Sequence, residues 1–231
     1  MKNLVITGAS SGIGQATASL FNTAGYNVIN LSRRPCPDAE ITSITCDLSQ
    51  PSFSQEIGAQ LKELLGGTRE TVMIHNAALL AKDSVSTTNS NEFRRILEIN
   101  LVAPNSLNQM LIPLMGKGSS ILYVGSTLGE KAVPNSFSYV TSKHACIGMM
   151  RSTCQDLAGT GIHTACVNPG FTDTEMLRAH VPADVMPQIA AMSAFERLIR
   201  PKEIAQTLLF AAQSPVLNGA VINANLGQVE R

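Results

Sequence analysis

Leu4-Val5-Ile6-Thr7-Gly8-Ala9-Ser10-Ser11-Gly12-Ile13-Gly14 carries the strongest fold signal of this chain. An apolar run, Leu4 to Ile6, enters a glycine-rich turn, and a helical pattern starting at about Gln15 carries Ala16, Ala18, Leu20 and Phe21. Strand, glycine-rich turn and helix in that order build the phosphate-binding corner of a dinucleotide fold. Gly8 permits a tight turn, Gly12 leaves no side chain between backbone and pyrophosphate, and Gly14 lets the helix pack closely on its strand. The N–H groups of Ser10, Ser11, Gly12 and Ile13 and the positive helix end then face the phosphates. The spacing is Gly-x-x-x-Gly-x-Gly, and a glycine-rich turn by itself also serves purely structural ends.

Beyond this stretch, strands and helices alternate along all 231 residues with no repeat, linker or low-complexity segment. That pattern predicts one α/β domain over 1–231, a doubly wound parallel sheet (Rossmann) of about seven strands with helices on both faces. A hydrophobic content of 44% and a charged content of 15% argue for a packed globule and against disorder. The formal net charge is zero, so no overall field draws in nucleic acid or an anionic membrane. Cys36, Cys46, Cys146, Cys154 and Cys166 are odd in number and form no Cys-x-x-Cys pair. They read as small buried hydrophobes in a reducing compartment, with metal binding as the alternative. Met1-Lys2-Asn3 runs straight into the first strand, and no apolar stretch reaches the ~20 residues that span a bilayer. A soluble, cytoplasmic protein with no bound metal is expected.

The second strand, Asn27 to Leu31, ends in Ser32-Arg33-Arg34. NAD-binding folds place an acid there for the adenosine ribose. A hydroxyl and two guanidiniums suit the 2′-phosphate of NADP(H) instead, and a solvated surface loop is the alternative. Asp47, after a third strand over Ile41 to Thr45, can cap a turn. A helix over Ser52 to Leu65 closes at Gly66-Gly67, and a fourth strand, Thr71 to Ile74, leads to His75, a structural residue in this reading. Asn91 to Met115 reads as one long helix kinked at Pro104, with Asn100 a polar residue inside its apolar pattern. After a fifth strand, Ser120 to Val124, comes Gly125-Ser126. Tyr139 and Lys143 stand four apart and share one face of the next helix. An ammonium beside a tyrosine favours the phenolate, which otherwise forms only near pH ~10. A solvated helix face is the alternative for any single Tyr-x-x-x-Lys. The sixth strand, His163 to Val167, delivers Pro169-Gly170-Phe171-Thr172-Asp173-Thr174, and a last strand is expected at Val221 to Asn223.

The glycine-rich string from Thr7 to Gly14, Asn100, Gly125-Ser126 and Tyr139-x-x-x-Lys143, in this order, resemble the short-chain dehydrogenase/reductase family over nearly the whole chain. The resemblance implies that Tyr139 is the acid/base and that Ser126 positions and polarises the substrate oxygen. It implies that Lys143 binds the nicotinamide ribose and assists Tyr139, and that Asn100 distorts its helix and binds a water of a proton relay. It assigns the adenine ring to Asp47 and Leu48. His75-Asn76-Ala77-Ala78 resembles the family's Asn-Asn-Ala-Gly and departs from it at the first and last positions, Ala78 adding a methyl beside the cofactor ribose. Pro169 and Gly170 would flank the nicotinamide, with Thr172 and Thr174 bonding carboxamide and diphosphate. Residues at about 175–200 match a substrate lid, whose Met176, Leu177, Val181, Met186 and Met192 either cover an apolar substrate or pack on the protein. Family resemblance further implies a homotetramer or homodimer. Asn225-Leu226-Gly227 stands where the family ends in Asp-Gly-Gly.

The function expected from these residues is an NADP(H)-dependent oxidoreductase interconverting a carbonyl and an alcohol. A non-catalytic NADP-binding sensor on the same fold is the principal rival. An epimerase or dehydratase of the extended relatives is disfavoured by the glycine spacing and by the lack of a large C-terminal substrate domain.

Overall fold

The computed structural model describes residues 2–67 and 70–228; Met1 and residues 229–231, counted in the expected domain, lie outside the described residues. The opening apolar run forms β1 (Asn3–Thr7), buried along its whole length, as a strand with helices on both faces must be. There follow α1 (Gly12–Thr23), β2 (Asn27–Ser32), β3 (Thr42–Thr45), α2 (Phe53–Leu65) and β4 (Thr71–His75). Next come α3 (Ser90–Leu97), a π-helical turn (Glu98–Val102), α4 (Ala103–Leu111), β5 (Ser120–Val124) and α5 (Phe137–Asp156). The chain closes through β6 (His163–Pro169), α6 (Glu175–His180), α7 (Met186–Ala190), α8 (Pro201–Ala212) and β7 (Ala220–Ala224).

The described residues form one seven-stranded parallel sheet in the order β3-β2-β1-β4-β5-β6-β7. The period of two along β1 sorts its side chains. Leu4 and Ile6 enter one core with Phe21 of α1 and Ile204, Leu208 and Ala211 of α8. Val5 enters the opposite core with Leu61 of α2, Leu107 of α4 and Cys146, Ile147 and Met150 of α5. The sheet is therefore doubly wound, as the alternation predicts. Strand order reverses between β1 and β4, and that switch point opens a crevice at the carboxyl ends of the strands.

Three expectations are corrected. Helix α1 starts at Gly12 rather than Gln15: the N–H of Gln15 already bonds the carbonyl of Ser11 at 3.1 Å, while Gly12 and Gly14 carry no apolar side chain to register the period. The long helix over Asn91–Met115 is interrupted, and Pro104 is not its kink. Pro104 sits in the first turn of α4, where a missing N–H is tolerated. The distortion lies just before it, where the N–H of Ala103 reaches back to the carbonyl of Glu98 in the π-helical turn that contains Asn100. Pro104 has no N–H to offer the carbonyl of Asn100, four residues back. Finally, β6 runs on through Asn168 and Pro169, pairing with Asn223 and Ala224 of β7.

His75 is buried at the end of β4, its Nε2 2.8 Å from Oδ1 of Asn108 and its ring tilted on Tyr123. Burial pushes its pKa down to about 4, which keeps it neutral and structural. Among the described residues the five cysteines are free, and no helix is long and apolar enough to cross a membrane.

Candidate active site

The crevice at the switch point is a cavity of about 1250 Å³. Gly8, Ser10, Ser11, Gly12, Ile13 and Gly14 line its floor, and Ser32, Arg33, Arg34, Asp47 and Leu48 one end. Asn76, Ala77, Ala78, Ser126, Tyr139, Lys143, Pro169, Gly170, Thr172 and Thr174 line the rest. Of the catalytic and cofactor-binding residues expected from the sequence, Asn100 alone is not on this wall; it lies buried behind it.

The glycine turn owes its shape to close approach. Gly8 has φ +73°, a left-handed conformation that L side chains rarely adopt. A Cβ on Gly14 would lie 2.2 Å from the carbonyl O of Gly8 and 2.6 Å from Nδ2 of Asn76. Asn76 spends its amide on this turn, donating to the carbonyls of Thr7 (2.9 Å) and Gly8 (3.1 Å). From the other side Asn30, fully buried on β2, accepts from the N–H of Ala9 at 2.9 Å and donates to Ser32 Oγ at 2.9 Å. Ser11 is the N-cap of α1 and makes no side-chain cap bond, so the helix's first N–H groups face the cavity uncovered. This backbone concavity suits an anion, which is what a dinucleotide diphosphate would bring.

On α5, Tyr139 and Lys143 are both buried, and the Lys143 ammonium lies 5.5 Å from the centre of the Tyr139 ring. One of its three N–H donors goes to the carbonyl O of Val124 at 2.7 Å. No carboxylate among the described residues pairs with this buried ammonium, and its remaining donors are left for acceptors in the cavity. The residues present therefore fit a dinucleotide cofactor at both ends, diphosphate on the glycine turn and ribose hydroxyls at Lys143.

Ser126 begins just past β5, held by its N–H to Oδ1 of Asn168 at 3.2 Å, while its Oγ accepts from the N–H of Leu128 at 3.1 Å. Its hydroxyl hydrogen is thus free to donate toward the cavity. Asn100 turns its whole amide inward. Oδ1 accepts from the N–H of Leu79 (2.8 Å), and Nδ2 donates to the Leu79 carbonyl (3.0 Å) and to Ser142 Oγ (2.9 Å). Ser142 passes the bond on to the carbonyl of Tyr139 at 2.8 Å. Its side chain is thus satisfied within the core, and its backbone carbonyl is one that Pro104, four residues on, has no N–H to meet.

Both threonine hydroxyls after β6 are engaged locally: Thr172 Oγ1 donates to the Gly170 carbonyl at 3.0 Å, and Thr174 Oγ1 caps α6 by accepting from Leu177 at 3.2 Å. Asp47 caps its turn through Ser49, and these bonds, with Arg33 and Arg95 nearby, hold its carboxyl below the usual range. Arg34 faces Glu175 at 3.3 Å. Met176, Leu177, Val181 and Met192 line the cavity together with Val133 and Pro134, whereas Met186 does not and Phe137 packs on Phe93. Bridges from Thr172 to Ile199 and from Ser193 to Gln228 tie the segment down.

Asn30, Ser142 and Asn168 went unnoticed in the sequence. Their signal was slight: a polar side chain inside an apolar strand or helix, asking for a partner that the chain order does not name. Asn168 also makes Gly125 obligatory, since a Cβ there would lie 2.0 Å from its Oδ1 and 2.7 Å from Cys166 Sγ. Gly125→Ala should therefore lower the melting temperature by roughly 3–10 °C, as an overpacked core of this size loses about 1–3 kcal/mol. An unchanged transition in calorimetry would show that the strand end relaxes freely.

Comparison with known proteins agrees with this geometry. A family profile described as enoyl-(acyl carrier protein) reductase matches residues 8–228. Protein FixR of Bradyrhizobium diazoefficiens is 31% identical, covering 98% of this chain and 86% of its own. The 3-oxoacyl-[acyl-carrier-protein] reductase FabG of Thermotoga maritima is 28% identical over 99% of this chain and 98% of its own. The crystal structure of a short chain dehydrogenase family protein from Francisella tularensis superposes with a TM-score of 0.90 at 26% identity, covering 98% of both chains. With sheet order, glycine turn and Tyr-x-x-x-Lys helix in place, the chain belongs to the short-chain dehydrogenase/reductase family of oxidoreductases.

Proposed function

We propose that this protein is an NADP(H)-dependent reductase that interconverts a carbonyl and an alcohol on a small, largely apolar substrate, with Asn100, Ser126, Tyr139 and Lys143 as its working set. The observation that carries this reading is the buried Lys143 ammonium, on the same helix face as Tyr139 and open to the cavity beyond its single bond to Val124. The cofactor, when bound, supplies the hydride chemistry. Tyr139 exchanges the proton at the substrate oxygen, and the Ser126 hydroxyl donates a hydrogen bond to the same oxygen. Lys143 binds the ribose hydroxyls and favours the charge that forms on Tyr139. The carbonyl of Asn100 holds a water that resupplies the proton. Met176, Leu177, Val181 and Met192 shield the reacting groups from water. Family membership supports a homodimer or homotetramer, and the reading places it in the cytoplasm.

The cofactor choice rests on Arg33 and Arg34, whose guanidiniums offer a 2′-phosphate charge-assisted bonds at a strand end with no carboxylate for a ribose 2′-hydroxyl, while the Ser32 hydroxyl beside them donates to the Arg34 carbonyl. NADPH should bind at least ~10-fold tighter than NADH, since about 1.4 kcal/mol suffices for that factor. Salt should narrow the gap because the site is partly exposed. Ser32→Asp with Arg33→Ala should reverse the preference. Titration of both cofactors at low and moderate salt tests this, and equal or tighter NADH binding would overturn the NADP assignment. A panel of ketones, acyl thioesters and alcohols followed by cofactor absorbance tests turnover. Cofactor binding with no turnover on any of them would favour a sensor instead.

A further inference from the structure

The adenosine end of the cavity carries an ion pair that the proposed reaction leaves unexplained. Arg34, just past β2, lines the main cavity, and its Nη2 lies 3.3 Å from Oε2 of Glu175 in the first turn of α6. The two are 141 residues apart in the sequence. On the α6 side, Thr174 is so close to Gly12 that a Cβ there would meet its Cγ2 at 3.1 Å. Glu175 shares a smaller cavity, about 450 Å³, with Gly12, Gln15 and Ala16 of α1. The neighbouring carboxylate, Asp173, is already held by both Nε (2.8 Å) and Nη2 (2.9 Å) of Arg178. Among the described residues, Glu175 is the carboxylate in ion-pair contact with an arginine of the phosphate end.

We propose that Glu175 is a positioning residue for cofactor selectivity: its carboxylate competes with the 2′-phosphate for Arg34. This deepens the NADP(H) reading and rests on it. Both partners are about two-thirds exposed, 66% and 69%, so the pair is weak and can be displaced. A phosphate is the stronger acceptor for the guanidinium fork. Binding a 2′-phosphorylated cofactor then frees the first turn of α6 from the end of β2, whereas a cofactor with a plain ribose leaves the two joined. Glu175 thus holds the NADPH preference below what Ser32, Arg33 and Arg34 alone would give.

The test is fluorescence titration of NADPH and NADH against the unmodified protein, Glu175→Gln, Arg34→Gln and the double variant, with thermal unfolding as a control on folding. Glu175→Gln is expected to tighten NADPH about fivefold, the size of an exposed ion pair, and to leave NADH within about twofold. In the Arg34→Gln background the Glu175 substitution is expected to have no effect, and Glu175→Asp should restore part of the competition. A purely structural role would move both cofactors together. NADPH binding unchanged or weakened by Glu175→Gln, equal gains for both cofactors, or a gain that persists without Arg34 would each overturn the inference while leaving an NADPH-preferring enzyme intact. An unmodified protein that binds NADH as tightly as NADPH, with no response to Arg34→Gln, would instead overturn the NADP reading and this inference with it.

Discussion

Tyr139→Phe is expected to abolish turnover, by about 10²–10⁴-fold in kcat, while NADPH affinity stays nearly intact. The substitution removes one oxygen. Phenylalanine keeps the ring that packs in the wall of the cavity and lies 5.5 Å from the Lys143 ammonium, so the helix and the lysine stay where they are. What is lost is the hydroxyl proposed to exchange a proton with the substrate oxygen, and Ser126 is left to donate a hydrogen bond there. Steady-state kinetics on any turned-over carbonyl, with cofactor titration in parallel, measures both quantities. Full activity in the phenylalanine variant would sink the mechanism. A parallel loss of cofactor affinity would mean that Tyr139 holds the cofactor more than it moves protons.

Lys143→Ala is expected to lose both activities at once: kcat falls at least about 10²-fold and NADPH binding weakens about tenfold or more. In the proposed mechanism the lysine serves two partners. Its ammonium is buried, fixed by the Val124 carbonyl at 2.7 Å, and its other donors face the cavity. Charge-assisted bonds of this kind contribute roughly 1.5–3 kcal/mol each, which sets the affinity loss. On the proposed mechanism the loss in kcat arises because the alanine variant removes the ammonium that lies 5.5 Å from the Tyr139 ring. The contrast between the two variants is the informative result. If Lys143→Ala reduced turnover while cofactor affinity held, the ribose role would fall, and if affinity alone changed, its partnership with Tyr139 would.

Wherever a property repeats along the chain or recurs within one turn of helix, it was legible from the residues alone. Val5 faces one core and Leu4 and Ile6 the other because strand side chains alternate, whatever lies around them. Tyr139 and Lys143 share a face because a helix brings residues four apart together. The glycines of the first turn were legible because few other residues accept a φ of +73° or a carbonyl where a Cβ would sit. Hence the fold class and the sheet follow from the order of the amino acids, whereas lining residues such as Leu79, Lys82, Arg95 and Leu128 were not singled out there. Helix ends were less legible, since Gly12 and Gly14 add no apolar period, and a proline marked the break after Asn100 without being its centre.

Tertiary structure alone decided which polar atoms meet. Asn168 holds Ser126 from 42 residues away, Asn100 reaches Ser142 across the same separation, and Arg34 meets Glu175 across 141. It also turned the Asn76 amide onto the glycine turn and spent the Thr172 and Thr174 hydroxyls on their own segment. The reason is physical. Burial and period are properties of a position in its own element, and they survive averaging over every arrangement of that element. A hydrogen bond or an ion pair exists only when two directional groups arrive within about 3 Å of each other. Which groups do so is set by strand order, register and helix packing, and those exist only once the chain has closed on itself.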